Sequence, residues 1–281
     1  MVNAYRPKNL DEALKIRGEK DVIPIAGGTD LMVRYRNISG ATPRFEKPVL
    51  FIGHLEQLKN IEIEDSFIKI GSSATLTSLL QNKNIPSILK SAVLDMAAPT
   101  VRNIGTIGGN ICNASPAGDT LPPLYALGSR VILTSAEEVR NIPIDKFIKG
   151  PGQTDLRDNE LLTEILIPIQ NFDREFYKKV GTRKAMALSK LSFVGLAKID
   201  GEKIADIRIA FGAIAPTVVR SREIEQEIIG HNVDEIAKLS DSIVSKYSGL
   251  FNPIDDQRSN KFYRNHISMK LLQYFLNEII G

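Results

Sequence analysis

The chain has 281 residues, 43% hydrophobic and 25% charged, with a net charge of +3, which is the make-up of a globular protein and not of a disordered or fibrous one. Its Lys and Arg are interleaved with Asp and Glu, as in Glu19-Lys20-Asp21 and Arg222-Glu223, so it lacks the concentrated basic stripe that nucleic acid requires. A single cysteine, Cys112, excludes a disulfide framework within the chain and a zinc or iron–sulfur site built from several thiolates.

His54, His231 and His266 lie far apart and without metal-ligand spacing, so no metal site is expected. The opening Met1-Val2-Asn3-Ala4-Tyr5-Arg6-Pro7 shows no apolar signal core, and no apolar run reaches the ~20 residues of a membrane helix. The expectation is a cytoplasmic protein.

In chain order, Leu10 to Arg17 reads as a helix, with Asn9 as cap and Glu12 at the third helical position. Val22 to Ala26 is a short apolar strand that stops at Gly27-Gly28, Thr29 to Arg36 is a helical turn or two, and Pro48 to Ile52 is a second buried strand. Ile61, Ile63, Phe67, Ile68 and Ile70 alternate around Glu64-Asp65-Ser66, which predicts a hairpin. Thr75 to Gln81 and Pro86 to Ala98 read as helices, and Pro99 to Pro123 fits neither periodicity. Val131 to Thr134 and Leu161 to Ile167 are strand candidates, and Asn171-Phe172-Asp173 marks a boundary. Beyond it, Phe176 to Val180, Ser192 to Ile199 and Ile204 to Ala213 read as strands, the last two joined at Asp200-Gly201. Ser221 to Ile229, Val233 to Tyr247 and Lys261 to Ile280 follow as helices. Strands followed by helices, without regular alternation, predict an α+β fold.

Two glycine segments carry the chemistry. In Pro24-Ile25-Ala26-Gly27-Gly28-Thr29-Asp30-Leu31 a buried strand runs into glycines, a hydroxyl and a helix-like stretch, an arrangement whose backbone N–H groups suit a phosphate. A plain structural glycine turn is the alternative. The second segment, Arg102-Asn103-Ile104-Gly105-Thr106-Ile107-Gly108-Gly109-Asn110, places three glycines within five residues. Two such turns could cradle one extended dinucleotide. Neither is a Rossmann fingerprint, and no Gly-Lys-Ser/Thr follows to make a P-loop.

These two segments, with Ala114-Ser115-Pro116-Ala117-Gly118-Asp119 and Pro122-Pro123-Leu124, resemble the FAD-binding medium subunit of molybdenum hydroxylases, the xanthine and carbon monoxide dehydrogenase family. Tyr5-Arg6-Pro7, Glu160-Leu161-Leu162 before Ile167-Pro168, and Phe262-Tyr263-Arg264 extend the resemblance over the whole chain. It implies a two-subdomain FAD-binding fold similar to the vanillyl-alcohol-oxidase type, at 1–54 and 55–172, followed by a C-terminal α+β domain of antiparallel sheet and helices at 173–281. It implies that Pro24, Ile25, Ala26, Gly27, Gly28, Thr29, Asp30 and Leu31, with Thr106, Ile107, Gly108, Gly109 and Asn110, line the FAD pyrophosphate and ribitol. Asp119 matches an acid that hydrogen-bonds the cofactor, Leu162 a position near the adenine, Lys178 one near the flavin, and Met96 an apolar contact. Phe193 falls where some relatives set an aromatic against the flavin, but its place in an apolar strand favours a core residue.

The resemblance also implies the role. Substrate is hydroxylated on a molybdopterin-containing large subunit, electrons cross a two-cluster iron–sulfur small subunit, and FAD on this chain passes them to an acceptor such as NAD. No acid–base pair or nucleophile of its own is expected, because the cofactor carries the redox chemistry. Cys112 reads as a small packing thiol. Xanthine or purine members are the nearer type, with aldehyde and carbon monoxide members as alternatives. A self-sufficient flavin oxidoreductase of the same fold and a non-catalytic nucleotide-binding module stand beside these readings.

Overall fold

The computed structural model describes residues 2–39, 41–184 and 186–281. Its contacts divide the chain into two units. One holds 1–85, 97–114 and 129–168; the other holds 86–96, 115–128 and 169–281. Two stretches that precede the sequence boundary near residue 172 therefore belong to the second unit.

The first unit contains three sheets. Strands β1 (Ala4–Tyr5), β2 (Ile23–Ile25) and β3 (Val49–Phe51) form a parallel sheet in the order β1-β3-β2. Leu50 and Ile25 are buried on it, and Leu50 packs with Ala13 and Leu14 of the helix Leu10–Glu19 and with Leu55, Leu58 and Leu161. That helix starts as its sequence dictates: Asn9 Oδ1 accepts from the Glu12 N–H at 2.9 Å. Glu12, however, reaches back to the N–H of Lys8 (2.7 Å) and not to that of Asn9, so the capping box closes one residue early.

The second sheet is antiparallel, ordered β4-β5-β10-β6-β7, with β4 (Ile61–Glu64), β5 (Phe67–Gly71), β6 (Arg130–Thr134), β7 (Val139–Pro143) and β10 (Leu161–Pro168). Asp65, at φ 53°, turns the hairpin between β4 and β5. Central β10 pairs with β5 and β6, is buried from Leu161 to Thr163, and then alternates buried Ile165 and Ile167 with half-buried Glu164, Leu166 and Pro168. β7 is not among the strands expected from the sequence; it carries Arg140, Asn141 and Pro143 in place of an apolar run. A short pair, β8 (Ile148–Gly150) with β9 (Gln153–Thr154), completes the unit.

The stretch 99–123, which reads as irregular, holds short helices instead: Pro99–Arg102, Ile107–Asn113 and Leu121–Ala126. Each has four to seven residues and contains Pro, Gly or Asn, too few turns for a helical period to emerge. The middle one, Ile107–Asn113, is capped at both ends. Thr106 accepts from the Gly109 N–H, and Ala114 stops the second helix in the left-handed region (φ 45°).

In the second unit β11 (Arg174–Val180), β12 (Leu191–Asp200) and β13 (Lys203–Gly212) make an antiparallel sheet with β12 central. Gly201, at φ 61°, turns β12 into β13. Helices Ile236–Ser248 and Lys261–Tyr274 bury Ile243, Tyr247 and Leu272 in the same core as Phe193 and Phe211, and Lys261–Tyr274 runs on into the turn Phe275–Ile280, which adds Phe275. Phe193 meets Phe211 edge-on at 5.0 Å and Phe275 at 5.7 Å, a core role. Gly195 is required here, since a Cβ would stand 2.7 Å from the Phe275 ring. Among the described residues no helix is long and apolar enough to cross a membrane, and no cluster of His, Cys, Asp and Glu could hold a metal.

Candidate cofactor site

The first unit brings the two glycine segments together. A Cβ on Gly27 would lie 2.1 Å from the carbonyl oxygen of Ile104, so only glycine lets the strand end pass beneath the second segment. Gly105 in turn faces the Thr29 hydroxyl, 3.4 Å from where its Cβ would be. Arg34 donates to Asn113 Oδ1 (2.8 Å), and Asn113 Nδ2 donates to Asp30 Oδ2 (3.1 Å), stitching the turn after β2 to the helix Ile107–Asn113.

The segments differ in what their backbones have left to offer. Among the described residues, the N–H groups of Gly27, Gly28, Thr29 and Asp30 find no hydrogen-bond acceptor. Gly28 sits at φ +69°, a left-handed turn of the kind that directs successive N–H groups to one point. This is a fit for an anionic phosphate. In the second segment, Ile107 N–H donates to Ala74 O (3.1 Å) and Gly108 N–H to Ser72 O (2.9 Å). Gly109 N–H goes to Thr106 Oγ1 (3.1 Å) and Asn110 N–H to Thr106 O (3.1 Å). A Cβ on Gly108 would meet Ser72 at 2.6 Å, so packing within the protein accounts for this glycine. The first segment is built to give hydrogen bonds; the second is built to hold its shape and let the first approach.

Of the remaining expected residues in this unit, Pro24, Ala26 and Leu31 are half-buried along the turn, Ile25 is buried, and Asp30 is exposed. Leu162 is buried on β10 opposite Leu133, beside an irregularity between Leu162 and Glu164. Cys112 lies in the helix between the two asparagines 110 and 113, and burial pushes its thiol up to about 12. A thiol held protonated this way is a poor nucleophile and ligand.

In the second unit Asp119 is 5% exposed and is held at both oxygens: Lys179 Nζ donates to Oδ2 at 2.8 Å, and the Ser189 hydroxyl donates to Oδ1. Burial raises its pKa above the ordinary carboxylate value, and Lys179 opposes that rise. Lys179 also donates to the Asp95 carbonyl (2.9 Å). The expected lysine, Lys178, is exposed; its neighbour Lys179 is the one turned inward, because successive strand residues face opposite ways. Met96 is buried just after the helix Ser87–Leu94. Tyr177, two residues before Lys179, has a buried hydroxyl without a partner among the described residues. Burial lifts its pKa well above the usual phenol value, with the Asp119 and Asp95 charges adding to the effect. Lys179, Ser189 and Tyr177 are not legible in the sequence. Only the buried acid hints at a cation, since a desolvated carboxylate needs one.

The family described as "FAD binding domain in molybdopterin dehydrogenase" matches residues 1–170, and "CO dehydrogenase flavoprotein C-terminal domain" matches 175–279. A glyceraldehyde dehydrogenase medium chain from Sulfolobus acidocaldarius is 33% identical over 98% of this chain and 96% of its own. A xanthine dehydrogenase FAD-binding subunit from Escherichia coli O157:H7 is 26% identical over 99% of this chain and 95% of its own. In fold, the chain is similar to a subunit of carbon monoxide dehydrogenase from Oligotropha carboxidovorans, with a TM-score of 0.88 and 24% identity over 97% of this chain and 95% of that one. With family matches covering 1–170 and 175–279, the chain belongs to the FAD-binding medium subunits of the molybdenum hydroxylases and is an FAD-dependent oxidoreductase subunit.

Proposed function

We propose that this chain relays electrons from the iron–sulfur clusters of a small subunit to an acceptor such as NAD, within a cytoplasmic heterotrimer whose molybdopterin-containing large subunit oxidises the substrate. The observation that carries the reading is the run of free N–H groups at Gly27, Gly28, Thr29 and Asp30 in a chain whose residues 1–170 match an FAD-binding family. Bound FAD supplies the redox exchange; the protein's residues bind and orient it.

In the first unit, residues 24–31 and 106–110 line the pyrophosphate and ribitol, the free N–H groups of the former supplying the hydrogen bonds, with Leu162 on the adenine side. In the second unit, Asp119 hydrogen-bonds the cofactor, backed by Lys179 and Ser189, with Met96 and Lys178 as further contacts. The division into 1–54, 55–172 and 173–281 is part of the same reading. Strands drawn from 4–51 and from 61–168 in separate sheets support it; the membership of 86–96 and 115–128 in the second unit departs from it.

For the substrate of the whole complex we take the xanthine or purine class, in line with the Ala26 to Leu31 motif. An aldehyde is the second reading, favoured by the 33% identity to a glyceraldehyde dehydrogenase medium chain. The test is anaerobic absorbance at the flavin band. The isolated FAD-loaded chain should not bleach with a purine or an aldehyde, whereas adding the small and large subunits should restore bleaching by one of them, and NAD should then recolour the flavin. Rapid bleaching of the isolated chain by either substrate would make it a self-sufficient flavoenzyme.

A further inference from the structure

Among the described residues, Arg264 has the largest fully buried side chain. Both terminal nitrogens of its guanidinium are bonded, while the buried Nε has no partner among the described residues. Its Nη1 donates to the carbonyls of Lys190 (2.6 Å) and Ala213 (3.0 Å), and its Nη2 to Asp256 Oδ1 (2.7 Å). Both carbonyls belong to segments that reach Asp119. Lys190 follows Ser189, whose hydroxyl donates to Asp119 Oδ1. Ala213, in the left-handed region at φ 59°, donates its N–H to Pro116 O (2.9 Å), three residues before Asp119.

The far end of the fork is itself anchored. Asp256 takes hydrogen bonds from Arg258 Nη2 (2.6 Å) and Nε (2.9 Å) and from the N–H groups of Arg258 (2.9 Å) and Ser259 (3.1 Å). One rigid planar group therefore joins three segments, and two of them flank the carboxylate. Lysine has no planar fork and cannot reproduce this geometry.

We propose that Arg264 is a positioning residue for Asp119: by holding Lys190 and Ala213 it fixes the Ser189 hydroxyl and the 115–119 segment, and so the orientation in which Asp119 meets the flavin cofactor. This rests on the assignment of Asp119 as a cofactor contact. The test uses the full chain with FAD and compares Asp119→Asn, Arg264→Lys and their combination, reading the FAD dissociation constant, the visible spectrum and the midpoint potential of the bound flavin. Asp119→Asn is expected to weaken FAD binding about tenfold and shift the potential. Arg264→Lys should move the same quantities in the same direction by less, with no further change when combined with Asp119→Asn. If Asp119→Asn shifts them and Arg264→Lys lowers only the melting temperature, Arg264 is merely structural, the inference falls and the Asp119 assignment stands. If Asp119→Asn changes none of them, the assignment falls and the inference with it. Should Arg264→Lys fail to fold, Asp256→Asn, which frees the fork at its far end, decides: a shifted flavin potential supports the inference, and an unchanged one overturns it.

Discussion

Gly27 and Gly18 illustrate at a single position how context gives a glycine its meaning. Gly18 lies inside the helix Leu10–Glu19, where nothing stands within 4 Å of a Cβ. Gly27 would press its Cβ into a backbone carbonyl at 2.1 Å, which no side-chain rotation can relieve. Gly18→Ala should therefore stabilise the protein by about 0.5–1 kcal/mol by removing freedom from the unfolded chain. Gly27→Ala should cost about 1–3 kcal/mol, as overpacking does, and should also weaken FAD binding by displacing the adjacent N–H groups. Urea denaturation of both variants, with a flavin titration of the second, checks this. Equal effects of the two substitutions would contradict the assignment of Gly27 to a close crossing of two segments.

Among elements, the loop that precedes the helix Lys261–Tyr274 carries its own pH dependence. Burial alone would raise the pKa of Asp256, but hydrogen bonds from Arg258 and from the Arg258 and Ser259 N–H groups, with the Arg264 charge, outweigh it and bring the carboxyl below its ordinary value. A depressed carboxylate contributes stability that is present above its unfolded value of about 3.9 and lost as pH falls through the lower folded value. Asp256→Asn should thus be less stable at pH 7 yet lose stability less steeply below about pH 4. Parallel slopes for the two proteins in urea titrations between pH 5 and pH 2.5 would count against this account. The element scale is also where reading from sequence reached its limit. The helix Leu10–Glu19 and the hairpins at Asp65 and Gly201 are legible because cap and turn residues act locally. The strand Val139–Pro143 and the helix Ile107–Asn113 are not: the former pairs with its neighbour Arg130–Thr134 but carries Arg140 and Asn141 in place of an apolar run, and the latter is held by the distant carbonyls of Ser72 and Ala74.

For the whole molecule, the bound state should be reversible and stabilising. Desolvation raises the pKa of the one thiol, the half-buried Cys112, which disfavours a covalent tether to the flavin. Acid denaturation should therefore release FAD into the supernatant; a yellow pellet beneath a colourless supernatant would contradict non-covalent binding. Before denaturation, FAD at 100 times its dissociation constant should add about 2.7 kcal/mol of stability, visible as a higher melting temperature. The sequence by itself determined the family, the cofactor and the two glycine segments, because contiguous residues 24–31 and 102–110 carry that information in order along the chain. Only the tertiary structure decided that the first segment keeps its N–H groups free while the second spends them on Ser72, Ala74 and Thr106. It alone turned Lys179 inward to Asp119 and drove Arg264 into the core. The reason is physical: a free donor, an inward-facing lysine and a buried guanidinium are each defined by what lies opposite, and those groups are supplied by residues tens of positions away.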